Sequence, residues 1–595
     1  MKKVFAAALL LAATVSCIKE SAYESSASKE KVTVRVSIPE STKVSLTEAA
    51  DHSCMALGWQ SGDALSINGE TFTIKDGFSA HQAEFEGNAP EGDSFNIIYP
   101  GKYTSAEAFG ARSYTSQVQD GNASTAHLEY NAMLQGVSEY AAPEFVGEWA
   151  AAKGGVLVQN AVLQLRLQLP ATATTATSVT ICAADAIFPT TNAGGSLVKE
   201  YSLGLKNVNL PSNHILEAYL MLPSAGVTVP DKEGLSVAVT TPEGIFVKDL
   251  TLDAQLWAGG GQYTIQTKVQ DENRFEIHTA DDLIEFRDGV NSGAFLWKYK
   301  SVKLMADLDL SGVTSWTPIG NAVAPWTSYN PVVTSGSAFL GSFDGNTHRI
   351  KNLKLSDAVS TVGAHFGLFG YLGKGAVVQN FIIDESCSLT VTSSVSHSVG
   401  MIAGVLYDAT VRDVTSYAPM AYKGGASGYF HMALIGGLYA NEDGCTVDSV
   451  HNYGAITAEN TANLNSGATG LHVAGIVGFA NAGNGSNVIS SCNNYGSLTS
   501  QAGRTSGILC AANKNTAIKM CENRGDQLNT MPSEGAGRLG NICCMSNNGS
   551  SIEGCKNYGK LVSTTAGRVG GIVSLPNAGE YKDNENYGEI LSDSD

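Results

Sequence analysis

Charge is scarce in this chain of 595 residues: Asp, Glu, Lys and Arg make up only 16%, and acids outnumber bases 56 to 37, for a net charge of −19. A surface that grips phosphate needs clustered Lys and Arg, and none is present, which argues against nucleic acid as a partner. Long hydrophobic runs are missing as well. The N-terminal stretch from Val4 to Ala13 is too short to hold a mature protein across a bilayer. Metal-ligand spacings are also absent. Ten cysteines follow Cys17, most of them at positions of an internal repeat, and the vicinal Cys543 and Cys544 should point to opposite faces of a strand. No metal or cofactor is expected.

What the chain has in quantity is glycine, 64 residues, and a repeat. One phrase returns five times: Val450-His451-Asn452-Tyr453-Gly454, Cys492-Asn493-Asn494-Tyr495-Gly496, Cys521-Glu522-Asn523-Arg524-Gly525, Cys555-Lys556-Asn557-Tyr558-Gly559 and Asn584-Glu585-Asn586-Tyr587-Gly588. Its central Asn recurs at intervals of 42, 29, 34 and 29 residues, and an apolar phrase such as Ala474-Gly475-Ile476-Val477 falls between each pair. Units of this length, with short apolar runs and Asn or Gly at the corners, predict the coils of a right-handed parallel β-solenoid. Coils stack ~4.8 Å apart, so equivalent residues form columns. Val450 shares a column with Cys492, Cys521 and Cys555, which predicts small, buried, unbridged side chains there. The Asn column can hydrogen-bond along itself, as stacked amides do. Cys510 and Cys544 share another column, where a bridge is one alternative.

The length calls for two to four domains. Residues 1–17 have the tripartite export pattern, and residues 18–30 read as a flexible tether. Alternation at Val32, Val34, Val36 and Ile38 then opens antiparallel β-structure, expected as one sandwich over 31–150 and a second over 151–270. From Thr279 a capping-box start with Leu283, Phe286 and Val290 at helical spacing predicts one short helix. It would cap the open end of a solenoid running over 271–595. The expected fold class is all-β: two tandem antiparallel sandwiches, then a parallel β-helix.

Thr14-Val15-Ser16-Cys17 resembles a bacterial lipobox, which implies that Cys17 is lipidated and tied to outer-membrane lipid. The following Ile18-Lys19-Glu20 looks like a surface-export tag. Thr42-Lys43-Val44-Ser45-Leu46, Trp59-Gln60-Ser61-Gly62-Asp63, Ala83-Glu84-Phe85-Glu86-Gly87 and Ile98-Tyr99-Pro100 together resemble the fimbrillin-like family of Bacteroidetes surface and pilus proteins. That resemblance implies tandem sandwiches, other pilus subunits as partners, and trimming at an Arg of the first strand. Arg35 has that placement, and a solvent-facing Arg is the plainer reading of it. Trp316-Thr317-Pro318-Ile319-Gly320, Phe343-Asp344-Gly345-Asn346, Ile350-Lys351-Asn352-Leu353 and Phe366-Gly367-Leu368-Phe369-Gly370 resemble GLUG-type repeats of bacterial surface proteins.

Candidate chemistry is thin. No cluster of carboxylates with a basic residue is legible, as a β-helix lyase would need, and Asp307 with Asp309 is a carboxylate pair that sequence cannot place. Asp583, Glu585 and Glu589 gather in the last coil. Arg524-Gly525-Asp526 spells an adhesive tripeptide within the repeat's own frame. One column stands apart: His472, Arg504, Arg538 and Arg568, expected to face solvent because buried Arg is costly. It pairs either with local acids such as Glu534 and Glu580, or with an acidic glycan while Tyr453, Tyr495, Tyr558 and Tyr587 offer stacking faces. The chain is thus expected to be a lipid-anchored surface adhesin or fimbria-associated protein that binds a glycan or a host surface protein. The alternatives are a polysaccharide lyase or glycoside hydrolase of β-helix type, and a pilus subunit with the solenoid as spacer.

Overall fold

The computed structural model describes residues 31–37, 47–48, 55–56, 59–79, 82–91, 95–131, 134–138, 158–232, 234–259, 261–327, 330–357, 359–425, 429–460, 470–531, 538–564 and 568–592. Cys17, the tether, Thr42 to Leu46 and the expected boundary at 150 lie outside them. Antiparallel sandwich sheets come first and a parallel solenoid follows.

A seven-stranded sheet opens the chain, with Lys31–Ser37 at one edge against Gln82–Asn88 and Val158–Gln159 at the other. The next layer pair is a six-stranded sheet centred on Ser178–Ala183 and a three-stranded sheet of Ile215–Leu222, Ala161–Gln168 and Gln262–Lys268. Strands from either side of residue 150 share sheets. Gln117–Asp120 leaves the first sheet and pairs parallel with Glu200–Lys206 of the six-stranded sheet. Its inward residues are glutamines, and Gln117 and Gln119 bind the backbones of Met221 and Tyr219 at 2.9 Å each. A strand whose buried side is polar carries no apolar alternation, so sequence pattern does not reveal where it goes. One continuous apolar core, from Val34 to Val269, joins all these sheets.

The solenoid begins with Arg274–Ile277, the first strand of a 16-stranded, mostly parallel sheet. Helix Ala280–Asn291 follows, with Thr279 and Asp282 forming the capping box and Leu283, Phe286 and Val290 buried. Phe286 packs edge-on against Phe339 and stacks near Phe343, so the helix closes the first coil's apolar end. Each later coil contributes to three stacked sheets, of 16, 8 and 11 strands.

Inside, the columns are in register. Val450, Cys492, Cys521 and Cys555 are fully buried, and the described cysteines are free thiols. Asn452, Asn494, Asn523, Asn557 and Asn586 donate in turn, Nδ2 to the next Oδ1, over 2.7–3.0 Å. Each Nδ2 also donates to the carbonyl two residues on. This ladder presses on the bend of the third sheet: a Cβ on Gly475 would lie 2.6 Å from Asn494 Oδ1. Glycine is needed there for close approach. Bending at 475–476 is what gives the third sheet its two arms.

Candidate functional site

The bend folds the third sheet so that the outer sides of its two arms meet in a crease running along the solenoid. The first arm supplies one wall, with His472, Arg504, Arg538 and Arg568 in register. The second arm supplies an apolar wall of Phe479, Ala511, Met545 and Leu575. The walls touch. His431, one coil before His472, stacks flat on Phe479 with ring centroids 4.7 Å apart, and Arg538 Nη1 lies 3.6 Å from Met545 Sδ. Cys510 and Cys544 sit in the inner corner, donating to Val473 O and Arg538 O of the first arm. Cys543, one residue away, points to the core, as alternation requires.

The crease is filled over its N-terminal coils and opens toward the last one, where Arg568 is exposed and Leu575 partly so. Ala322 and Ala324 of the first coil's long loop pack there with Tyr371, Val405 and Tyr439. A chain of polar contacts runs beneath them. His365 Nε2 donates to Ala324 O while its Nδ1 accepts from Ser398 N, and Ser398 Oγ meets His431 Nδ1 at 3.2 Å. His431 stacks on His472, and His472 Nε2 lies 2.6 Å from Arg504 Nη1. Burial holds His365 down at about 3 and His431 well below 6.5, so both are neutral.

The sequence expectation that this column faces solvent is corrected in part. His472 is fully buried and positions Arg504, Arg504 and Arg538 are half-buried, and Arg568 alone is exposed. The opposite arm shields what a flat sheet would expose. Burial, then the like charges of Arg504 and Arg568, lower the Arg538 guanidinium's affinity for its proton. Among the described residues no carboxylate pairs with Arg504, Arg538 or Arg568, whereas Arg349 and Arg524 pair with Asp384 and Glu522. Glu534 lies outside the described residues, and Glu580 is on a strand of the first sheet. Unit charges ~5 Å apart repel by about 0.8 kcal/mol even in a water-like dielectric, and by several times that at an effective dielectric of 20. The Arg504 Nε is buried without a hydrogen-bond partner.

The tyrosines stand elsewhere, at the turn between the first and second sheets, separated from the arginines in each coil by a strand such as Leu498–Ser500. They stack on one another. Tyr453 and Tyr495 have centroids 4.4 Å apart and planes 7° apart, Tyr558 and Tyr587 5.1 Å and 9°, and Arg524 lies over Tyr558. Their faces are largely taken, leaving edges and hydroxyls for solvent. Arg524 is further held by Glu522, and Asp526 accepts from Lys560 N, which ties the Arg-Gly-Asp triplet into the coils.

The remaining candidates are spoken for. Arg35 is exposed and pairs with Glu84 on the adjacent strand at 2.8 Å. Asp307 accepts from Lys351, Arg349 N and His348, which hold its carboxyl down at about 2. Asp309, bound by Asn352 and Ser311, is also lowered. Both shifts run opposite to what a general acid needs. Glu585 and Glu589 pair with Lys556 and Lys560, and Asp583 lies near Lys582. Among the described residues no group of His, Cys, Asp and Glu is arranged to hold a metal, and no helix is long and apolar enough to cross a membrane.

No family model matches the chain, and no curated protein matches it. Similar solved structures include a candidate cell adhesion protein from Bacteroides ovatus, at 11% identity and TM-score 0.26, covering 41% of this chain and 93% of that one. A fimbrial protein from Bacteroides ovatus is similar at 10% identity and TM-score 0.19, covering 41% of this chain and 51% of that one. An IgA1 protease is similar at 13% identity and TM-score 0.31, covering 73% of this chain and 28% of that one. All three scores lie below 0.5, so the fold and the crease rest on the chain's own residues.

Proposed function

We propose that the chain is a lipid-anchored, cell-surface adhesin or fimbria-associated protein. In this reading Cys17 holds it to the outer membrane, the antiparallel sheets carry the solenoid outward, and the solenoid presents the binding surface without catalysing a reaction. The observation that carries the reading is the crease. It is an ordered polar surface, repeated coil by coil, whose arginines have no carboxylate among the described residues, while the acidic groups considered above for catalysis are engaged or lowered. A stiff stack with a column of arginines that meets no carboxylate among the described residues suits recognition of an extended partner.

The test compares bacteria carrying the chain with bacteria lacking it, for adherence to immobilised glycans and host surface proteins and for digestion of the chain by protease added to whole cells. Adherence that depends on the chain, with the chain open to protease, supports the reading. Equal adherence with and without it, or full protection from protease, sinks the reading.

A further inference from the structure

We propose that the C-terminal end of the crease binds a linear acidic glycan, laid along the solenoid axis with its anionic groups on Arg538 and Arg568 and a C–H face of one ring on Leu575. This rests on the adhesin reading and names the ligand for it.

Three features argue for an anion. The arginines repeat once per coil, in strands paired directly residue to residue. They lack carboxylate partners among the described residues, and like charges repel along the column. A guanidinium fork matches a carboxylate or sulfate with two parallel hydrogen bonds.

The rest of the crease selects the polymer. The facing wall at these coils is Met545, buried against Arg538, and the partly exposed Leu575, which a sugar C–H face can cover. A peptide would need backbone partners, but the strands of this sheet pair with one another on both sides up to the final coil. A glycan's hydroxyls can stay in water instead. Nucleic acid would want free aromatic faces and excess positive charge, whereas the tyrosines stack on themselves and the net charge is −19.

The ligand's inner limit is also set. Ala322, Tyr439 and the buried His472 fill the crease beyond Arg504. Arg504, held by His472 at 2.6 Å, is then the innermost anion contact, and the chain extends from it toward the last coil.

The experiment uses the full purified chain in affinity gels containing polygalacturonate, dextran sulfate, dextran or poly-L-glutamate. The wild type should be retarded by polygalacturonate or dextran sulfate, less so as salt rises, and should pass dextran freely. Preference between the two anionic polymers identifies carboxylate or sulfate as the favoured group. The Arg538→Gln/Arg568→Gln variant should weaken retention by about tenfold per arginine, the scale of a lost charge-assisted contact. Arg568→Gln alone, at an exposed side chain, keeps the test valid if the double variant unfolds, and should still lose about tenfold. Unchanged retention in Arg568→Gln overturns the proposal, as does absence of retention by either anionic glycan. Tighter binding to poly-L-glutamate than to either glycan overturns it in favour of an acidic peptide. Cells that adhere through the chain while the purified protein ignores both glycans leave the adhesin reading standing and this inference refuted. Glycan retention by a chain that is never surface-exposed does the reverse.

Discussion

Replacing Asn523 by Asp changes one buried NH2 to an oxygen and leaves the shape of the side chain alone. Asn523 is fully buried, accepts from Asn494 Nδ2 at 2.8 Å, and donates at 3.0 Å to both Gly525 O and Asn557 Oδ1. An ionised carboxylate there removes both donations and sets an oxygen against two acceptors, whereas a protonated carboxyl keeps one O–H donation. A lost hydrogen bond costs about 1 kcal/mol and an acceptor left facing an oxygen adds about 1 kcal/mol, for a total of about 2 kcal/mol with the new carboxyl protonated and one donation gone. Ionisation there costs more, so the variant should worsen as pH rises from 4 to 7. Asn586→Asp is the internal control. Asn586 ends the ladder in an exposed position, and its Oδ1 still accepts from Asn557 in the variant, so the cost should stay below about 1 kcal/mol. Hydrogen exchange of solenoid peptides in the full chain reads local opening free energy without assuming a single transition. Equal effects at 523 and 586, or a loss below about 1 kcal/mol at 523, would refute the idea that the amide column holds the coils together.

Four further outcomes are expected. His365 and His431 are neutral when folded because burial lowers both, so this contribution to stability is fully present above pH 6.5 and is lost as pH falls through 6.5 toward 3; melting that is flat or rises between pH 7.5 and 5 would contradict it. Cys492, Cys521 and Cys555 should resist alkylation in the folded chain and react fully after denaturation without reductant, and any shortfall would mean a bridge. Cys17→Ala should release the chain from membranes, and equal membrane partition of variant and wild type would count against lipidation. Arg35→Ala, which removes an exposed cross-strand pair with Glu84, should change stability by no more than about 1 kcal/mol; a larger loss in denaturant midpoint would show a role in holding the edge strand.

The solenoid was legible because in-register stacking keeps similar residues down its inward columns. Asn452 to Asn586 declare the amide ladder, and Thr279 with Leu283, Phe286 and Val290 declare the cap. A second ladder, from Asn577 through Asn547 and Asn513 to Asn481, went unread. Its spacing of 32, 34 and 30 residues was present in the sequence, but its neighbours vary from coil to coil, so no phrase announced it. The arginine column was legible as a column and not as a wall. What faces it across a bend depends on how far the sheet turns at Gly475, a three-dimensional fact without local signature. The tyrosines' outward placement follows from the repeat, but whether neighbouring rings offer their faces or hide them in stacks is decided by rotamers. Gln117–Asp120 escaped because its buried residues are polar.

The measurement that bears most directly on a binding, non-catalytic solenoid follows retention and turnover in one sample: the full chain incubated in parallel with polygalacturonate and with dextran sulfate, with bound protein and new reducing or unsaturated ends recorded over time. The expected result is salt-sensitive retention that depends on Arg538 and Arg568, with no ends released. Release of new ends at a rate proportional to protein, or no retention by either polymer at any salt concentration, would contradict it.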